Sequence, residues 1–233
     1  MIKYIKESAK RYKESNLRFY EKPVHIVQPI TNGVDLQQVL HDIESKVPKY
    51  LTNNFEALYV GNFDIFHKKN RSFNATFKDG AIYVTNRQDD YDDLVDDIVH
   101  EMAHSIERTP EFNELIYGDN SVESEFLAKR KTLYYLLDEP SSTMLYYLSP
   151  DYNKQFDNYL YTKIGYDKLR VISSGLFYSP YAITALKEYW ANGFENYLVG
   201  DRQRLKDLSP ALYKVVSKIL SLDDSEIEYK KED

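Results

Sequence analysis

The chain of 233 residues carries 30 Lys and Arg against 37 Asp and Glu, a net charge of −7, with 42% hydrophobic and 29% charged residues. That balance suits a globular protein with a substantial core and excludes disorder throughout, and its acidic surplus argues against a nucleic-acid partner, whose phosphates need clustered Lys and Arg. With no cysteine there are no disulfides, thiolate nucleophiles or Cys-held zinc or iron–sulfur sites, so any metal must be held by His and carboxylates.

In chain order, residues 1 to 20 place Ile2, Ile5, Ala9 and Tyr12 at helical spacing among lysines and arginines, which predicts a short basic amphipathic helix. Charges interrupt this stretch too often for a signal-peptide core, and no apolar run approaches the roughly 20 residues of a membrane span. The expectation is therefore no membrane span and a cytoplasmic location, with phage- or toxin-associated export as the other route. Val24 to Val27, between Pro23 and Pro29, reads as a strand, and residues 35 to 50 carry Leu36, Val39, Leu40, Ile43 and Val47 at helical spacing. Ala57 to Val60 predicts a second strand. The runs 74 to 77 and 81 to 85 flank Lys78-Asp79-Gly80, a hairpin signal, and Ala81 to Thr85 is the expected free edge of the sheet. From residue 108 the pattern turns helical, with helices expected over 121 to 137 (Asn120 as cap and Glu123 three residues on), 151 to 163, 181 to 199 and 209 to 221. The charged end, Asp223 to Asp233, is expected to fray. This order predicts an α+β chain: one catalytic domain over 1–233, with an N-terminal α/β lobe at 1–107 and a helical lobe at 108–233.

The informative stretch runs from Asp92 to Ile106. Val95, Ile98, Val99, Met102 and Ile106 form one apolar face, and six aspartates between Asp89 and Asp97 load the N-terminal turns, where the helix dipole favours negative charge. A calcium loop would need the Asp-x-Asp-x-Asp-Gly spacing, which is missing. His100 and His104 are one turn apart and project the same way, so their imidazoles can converge on one cation, with Glu101 offset to the side where an attacking water would lie. The plain alternative is two partly buried histidines satisfied by carbonyls.

A catalytic zinc normally keeps three protein ligands and an open position. The remaining imidazoles are His25, His41 and His67, all upstream, so the third ligand should be a carboxylate. Two glutamates compete, each opening a Glu-apolar-apolar-Ala string: Glu125, 21 positions after His104, and Glu188, 84 positions after it. Spacing alone favours Glu125.

The stretch Tyr181-Ala182-Ile183-Thr184-Ala185-Leu186-Lys187-Glu188-Tyr189-Trp190-Ala191-Asn192-Gly193-Phe194 resembles the end of the catalytic domain in the family of anthrax lethal factor and the Pro-Pro endopeptidases. There a Tyr precedes the glutamate ligand by seven positions, and the glutamate opens a Glu-aromatic-aromatic-Ala-x-x-Phe helix. Arg202 to Lys206 and Leu208 to Tyr213 are similar in kind to that family's closing helices. The resemblance implies a zincin-like fold of the gluzincin type, a Zn2+ ion on His100, His104 and Glu188, Glu101 as general base, and Tyr181 facing the reacting carbonyl. It also makes residues 110 to 150 an inserted helical hairpin and puts Asn192 where the family has a second acidic residue. Tyr134, Tyr135, Tyr146 and Tyr147 are candidate pocket walls, although core packing with hydroxyls at the surface suits any one of them better.

The function expected from these residues is a zinc endopeptidase acting on a polypeptide substrate. The alternative is a zincin-fold binding or structural component of a larger assembly, such as a viral particle, with a protein assembly partner. A zinc hydrolase acting on a non-peptide amide is a third reading.

Overall fold

The computed structural model describes residues 17–68 and 71–222. Most of the predicted N-terminal helix and the charged end from 223 onward lie outside the described residues. The chain is mixed α+β and divides into two compact units, Met1–Arg108 and Thr109–Asp233. Among the described residues no helix is long and apolar enough to cross a membrane.

In the first unit, β1 (Arg18–Phe19), β2 (Lys22–Ile26), β3 (Ala57–Val60), β6 (Ala75–Lys78) and β7 (Ala81–Val84) form one sheet in the order β1-β2-β3-β7-β6. The central pairings are parallel, while the β1/β2 and β6/β7 pairings are antiparallel. A separate two-stranded ribbon joins β4 (His67–Lys68) to β5 (Arg71–Ser72).

Strand alternation sorts the residues onto two faces. Val24, Leu58, Ile82 and Phe77 stand in register on one face and are buried. On the opposite face, His25 stacks on Tyr59 and Tyr59 on Tyr83. Helices α1 (Leu36–Lys46) and α2 (Tyr91–Ile106) pack on each other, and α2 packs on β6 and β7. The Asp79-Gly80 turn behaves as expected, both residues taking positive φ, the geometry of a tight two-residue hairpin.

Two expectations need correction here. Ala81–Val84 is not an edge, because it pairs with β3 on one side and β6 on the other, so the free edge belongs to Ala75–Lys78. The end of the predicted N-terminal helix is instead β1 and a tight turn through Tyr20 and Glu21, both at positive φ. Neither residue favours such a turn. Contacts with α1 hold it: the Tyr20 hydroxyl donates to Val47 O at 2.6 Å and the Tyr20 N–H to the Glu44 carboxylate at 2.6 Å.

The second unit contains α3 (Pro110–Tyr117), α4 (Ser121–Leu136), α5 (Met144–Tyr147), α6 (Lys154–Tyr159), α7 (Tyr166–Ile172), α8 (Leu186–Leu198), α9 (Arg202–Leu208) and α10 (Pro210–Leu220). Residues 110 to 150 thus hold three helices and a 3-10 turn at Ser141–Thr143 rather than a simple hairpin. Asn120 takes a left-handed conformation and makes no side-chain cap bond, and the Asp119 carboxylate receives the Ser121 N–H at 2.9 Å instead. The expected helix over 151 to 163 starts later, where Asn153 caps it, and widens into a π turn at Leu160–Ile164 before Gly165 ends it at φ 84°. The expected helix over 181 to 199 is broken. Tyr181–Ile183 is a separate 3-10 turn, Ala185 is extended, and α8 opens at Leu186. The Thr184 hydroxyl donates to Tyr181 O at 2.8 Å, offering the backbone a local alternative to continuing the helix.

Helix α10 packs against α3, α4, α8 and α9. Its approach to α8 needs Gly193, where an added Cβ would lie 2.3 Å from the Leu212 side chain. Gly193→Ala is therefore expected to destabilise the protein by about 1–3 kcal/mol despite alanine's better helix propensity. Urea unfolding checks it; a stability gain would mean that Leu212 moves aside freely.

Candidate metal centre

The aspartates before α2 act as its N-terminal complement. Asp90 is the N-cap, its carboxylate receiving the Asp93 N–H at 3.0 Å, and Asp92 and Asp93 occupy the first turn. The apolar residues Leu94, Ile98, Val99, Met102 and Ile106 are almost wholly buried, which fixes the rotation of the helix about its axis. His100 and His104 then emerge together, half-buried, with ring centroids 5.1 Å apart and planes at 75°.

Glu101 points elsewhere than a solvated charge would. It is 8% exposed, and its carboxylate receives the backbone N–H of Phe77 at 2.5 Å. Phe77 lies on β6, so the edge strand itself holds the candidate base. One turn before Glu101, burial pushes the Asp97 carboxyl up to about 7, opposed by the Gln88 amide that donates to it at 3.1 Å and reinforced by the negative charge of Glu101. At the end of α2 the His104 Nδ1 lies 3.1 Å from the Glu107 carboxylate.

In the second unit, Glu188 is the third residue of α8, in the first turn, where the dipole favours a carboxylate. It is only 4% exposed. Lys187 Nζ lies 3.8 Å away but is itself half-exposed, so it offsets little of the cost of burying that charge. Asn192, one turn on, is buried and its amide reaches the Glu195 carboxylate at 3.5 Å.

The donor atoms of His100, His104 and Glu188 all lie within 4.8 Å of one another. Among the described residues, this His-His-Glu group is the one that could hold a metal ion. Comparison with protein-family models, curated proteins and solved structures finds no match to the chain. The donor set carries its own chemistry: imidazole nitrogens and a carboxylate oxygen are donors that zinc takes at about 2.0–2.2 Å. Two imidazoles and a carboxylate also leave a tetrahedral position open.

Glu125, the other candidate ligand, is occupied. Its carboxylate receives the Tyr189 hydroxyl at 2.7 Å and the N–H groups of Ala211 and Leu212 at 2.8 and 3.3 Å, so it caps the N-terminus of α10. Lys129, buried one turn along α4, donates to the Tyr189 hydroxyl at 2.5 Å and to Ser209 Oγ at 2.6 Å. Burial pushes its ammonium down to about 8, with Glu125 pulling the other way, while burial first and Glu125 second raise the Tyr189 phenol. Spacing could not reveal this role, because the partners are more than 60 residues downstream.

Tyr181 sits on its own turn ahead of α8, half-buried, and it is not part of the helix that carries Glu188. Of the tyrosines considered as pocket walls, Tyr134 and Tyr147 are buried in a T-shaped pair, Tyr146 stacks on Phe156, and Tyr135 is 61% exposed. The sequence reading missed Glu107, although its place three residues after His104 puts the two side chains on neighbouring positions of one helix.

The two glutamates should separate by experiment. Glu125→Ala is expected to cost about 3–5 kcal/mol of stability, since it strips a buried network that includes Lys129, and to leave zinc affinity unchanged. Glu188→Ala should do the reverse, losing zinc affinity with a smaller effect on metal-free unfolding. Calorimetric titration and urea denaturation of both variants make the comparison, and an exchange of these outcomes would make Glu125 the ligand.

Proposed function

We propose that this chain is a zinc-dependent endopeptidase with a zincin-like fold. The observation that carries the reading is the convergence of His100, His104 and Glu188, which is the protein's share of a catalytic zinc shell: three donors, two nitrogen and one oxygen. The place of Glu101 between His100 and His104 in sequence, with its carboxylate held by the Phe77 N–H, supports it.

His100, His104 and Glu188 would hold the ion. When bound, it supplies Lewis-acid polarisation of the scissile carbonyl and makes water acidic enough to be deprotonated near neutral pH. Glu101 accepts a proton from the attacking water and then delivers it to the departing amide nitrogen, so that one carboxylate serves as base and acid in turn. Its hydrogen bond from Phe77 N–H keeps it oriented between these steps. The Tyr181 phenol donates to the carbonyl oxygen as negative charge develops there.

The substrate in this reading is an extended polypeptide. The free edge of β6 offers backbone groups for strand addition, with the Phe77 N–H already given to Glu101, so the base sits at that edge. A peptide laid along β6 would therefore bring its own amide bonds past the base.

Glu101→Gln is expected to lower turnover of a peptide library by about 10²–10⁴-fold while zinc binding persists. Tyr181→Phe should cost on the order of a hundredfold in kcat with little change in folding. Cleavage that survives both chelation and Glu101→Gln would overturn the reading.

A further inference from the structure

Glu107 occupies a position that helix physics alone does not explain. It is the C-cap residue of α2, and its backbone N–H already closes the helix on Ala103 O. Its side chain adds a negative charge at the end of the helix where the carbonyl dipoles point outward, the end at which anions are disfavoured. That side chain is also 14% exposed, so most of its hydration is given up. What it reaches is the Nδ1 of His104, at 3.1 Å, on an imidazole that is likewise 14% exposed.

We propose that Glu107 is a positioning residue for the metal: it holds His104 in the Nδ1–H tautomer, so that Nε2 is the donor atom, and makes that nitrogen a stronger ligand. The inference rests on the metal-binding reading given above. A neutral imidazole presents one N–H and one lone pair, and the partner of the N–H decides which nitrogen keeps the lone pair. A carboxylate on Nδ1–H also draws positive charge toward itself and raises the donor strength of Nε2, and removing such an outer partner commonly weakens metal binding by about 10–100-fold. At this end of the helix the charge of Glu107 gains nothing from the dipole, so its contact with His104 Nδ1 is the geometry that points to the metal.

The test uses the full chain with zinc as the probe, measured by competition against a chromophoric chelator, alongside thermal unfolding of the metal-free protein. Glu107→Ala should weaken zinc binding by about 10–100-fold, a loss larger than any shift of its metal-free unfolding midpoint accounts for. Glu107→Gln, whose amide oxygen still accepts from Nδ1–H, should recover most of the lost affinity. Unchanged zinc affinity in Glu107→Ala would overturn the proposal and leave the metal site standing. A lowered metal-free midpoint with equal loss of affinity in both variants would overturn it in favour of a structural role. Absence of zinc binding by the parent protein would overturn the metal reading and this inference together.

Discussion

A helix of sixteen residues that buries one apolar stripe has no freedom left to choose where its other side chains point. Leu94, Ile98, Met102 and Ile106 of α2 are wholly buried, and that single constraint sets the azimuth of His100, Glu101 and His104. The apolar stripe is the cause and the histidine pair the consequence. Rotating α2 by one residue would cost several buried side chains, each worth about 1.5–3 kcal/mol, so the donors are held by the core rather than by each other. The N-terminal aspartates and Asp90 as cap add to the stability of the same helix.

The second unit solves a different problem. Glu188 stands in the first turn of α8, and that helix is kept in place through Tyr189 and Gly193, one turn apart on a single face. Tyr189 and the buried Lys129 and Ser209 share hydrogen bonds with the half-buried Glu125, and Gly193 admits Leu212 of α10. A charged network of this kind gains little over apolar packing, but it is sensitive to the loss of any one member. It explains why the string Glu-apolar-apolar-Ala occurs twice in the chain with different uses: one copy supplies a cap for α10 and the other stands where a metal donor can be.

How much could be read beforehand depended on whether the signal was local. The period of α2, the Asp79-Gly80 hairpin and the helix ending near residue 220 were all legible because their causes lie within a few residues. The turn at Tyr20-Glu21 was not, since hydrogen bonds to α1 stabilise a conformation that neither residue favours. The choice between edge and interior for the two hairpin strands was equally hidden, because β3 supplies the deciding partner for β7. For the candidate site, His100 and His104 followed from spacing and Glu188 only from a family resemblance, while the Glu107 contact with His104 and the capping by Glu125 needed coordinates. Tyr181 was placed on the wrong element, as Thr184 interrupts the helix that its spacing suggested.

X-ray absorption at the zinc edge, recorded on the purified protein after loading with one equivalent of zinc, reads the ligand set of the bound ion. Zinc on His100, His104 and Glu188 should show a four-coordinate shell of nitrogen and oxygen donors at about 2.0–2.1 Å, with outer-shell scattering from two imidazoles. Replacing both ligands, in a His100→Ala, His104→Ala variant, should remove that imidazole scattering. A shell of six oxygens, or one without imidazole scattering in the parent protein, would contradict that ligand set.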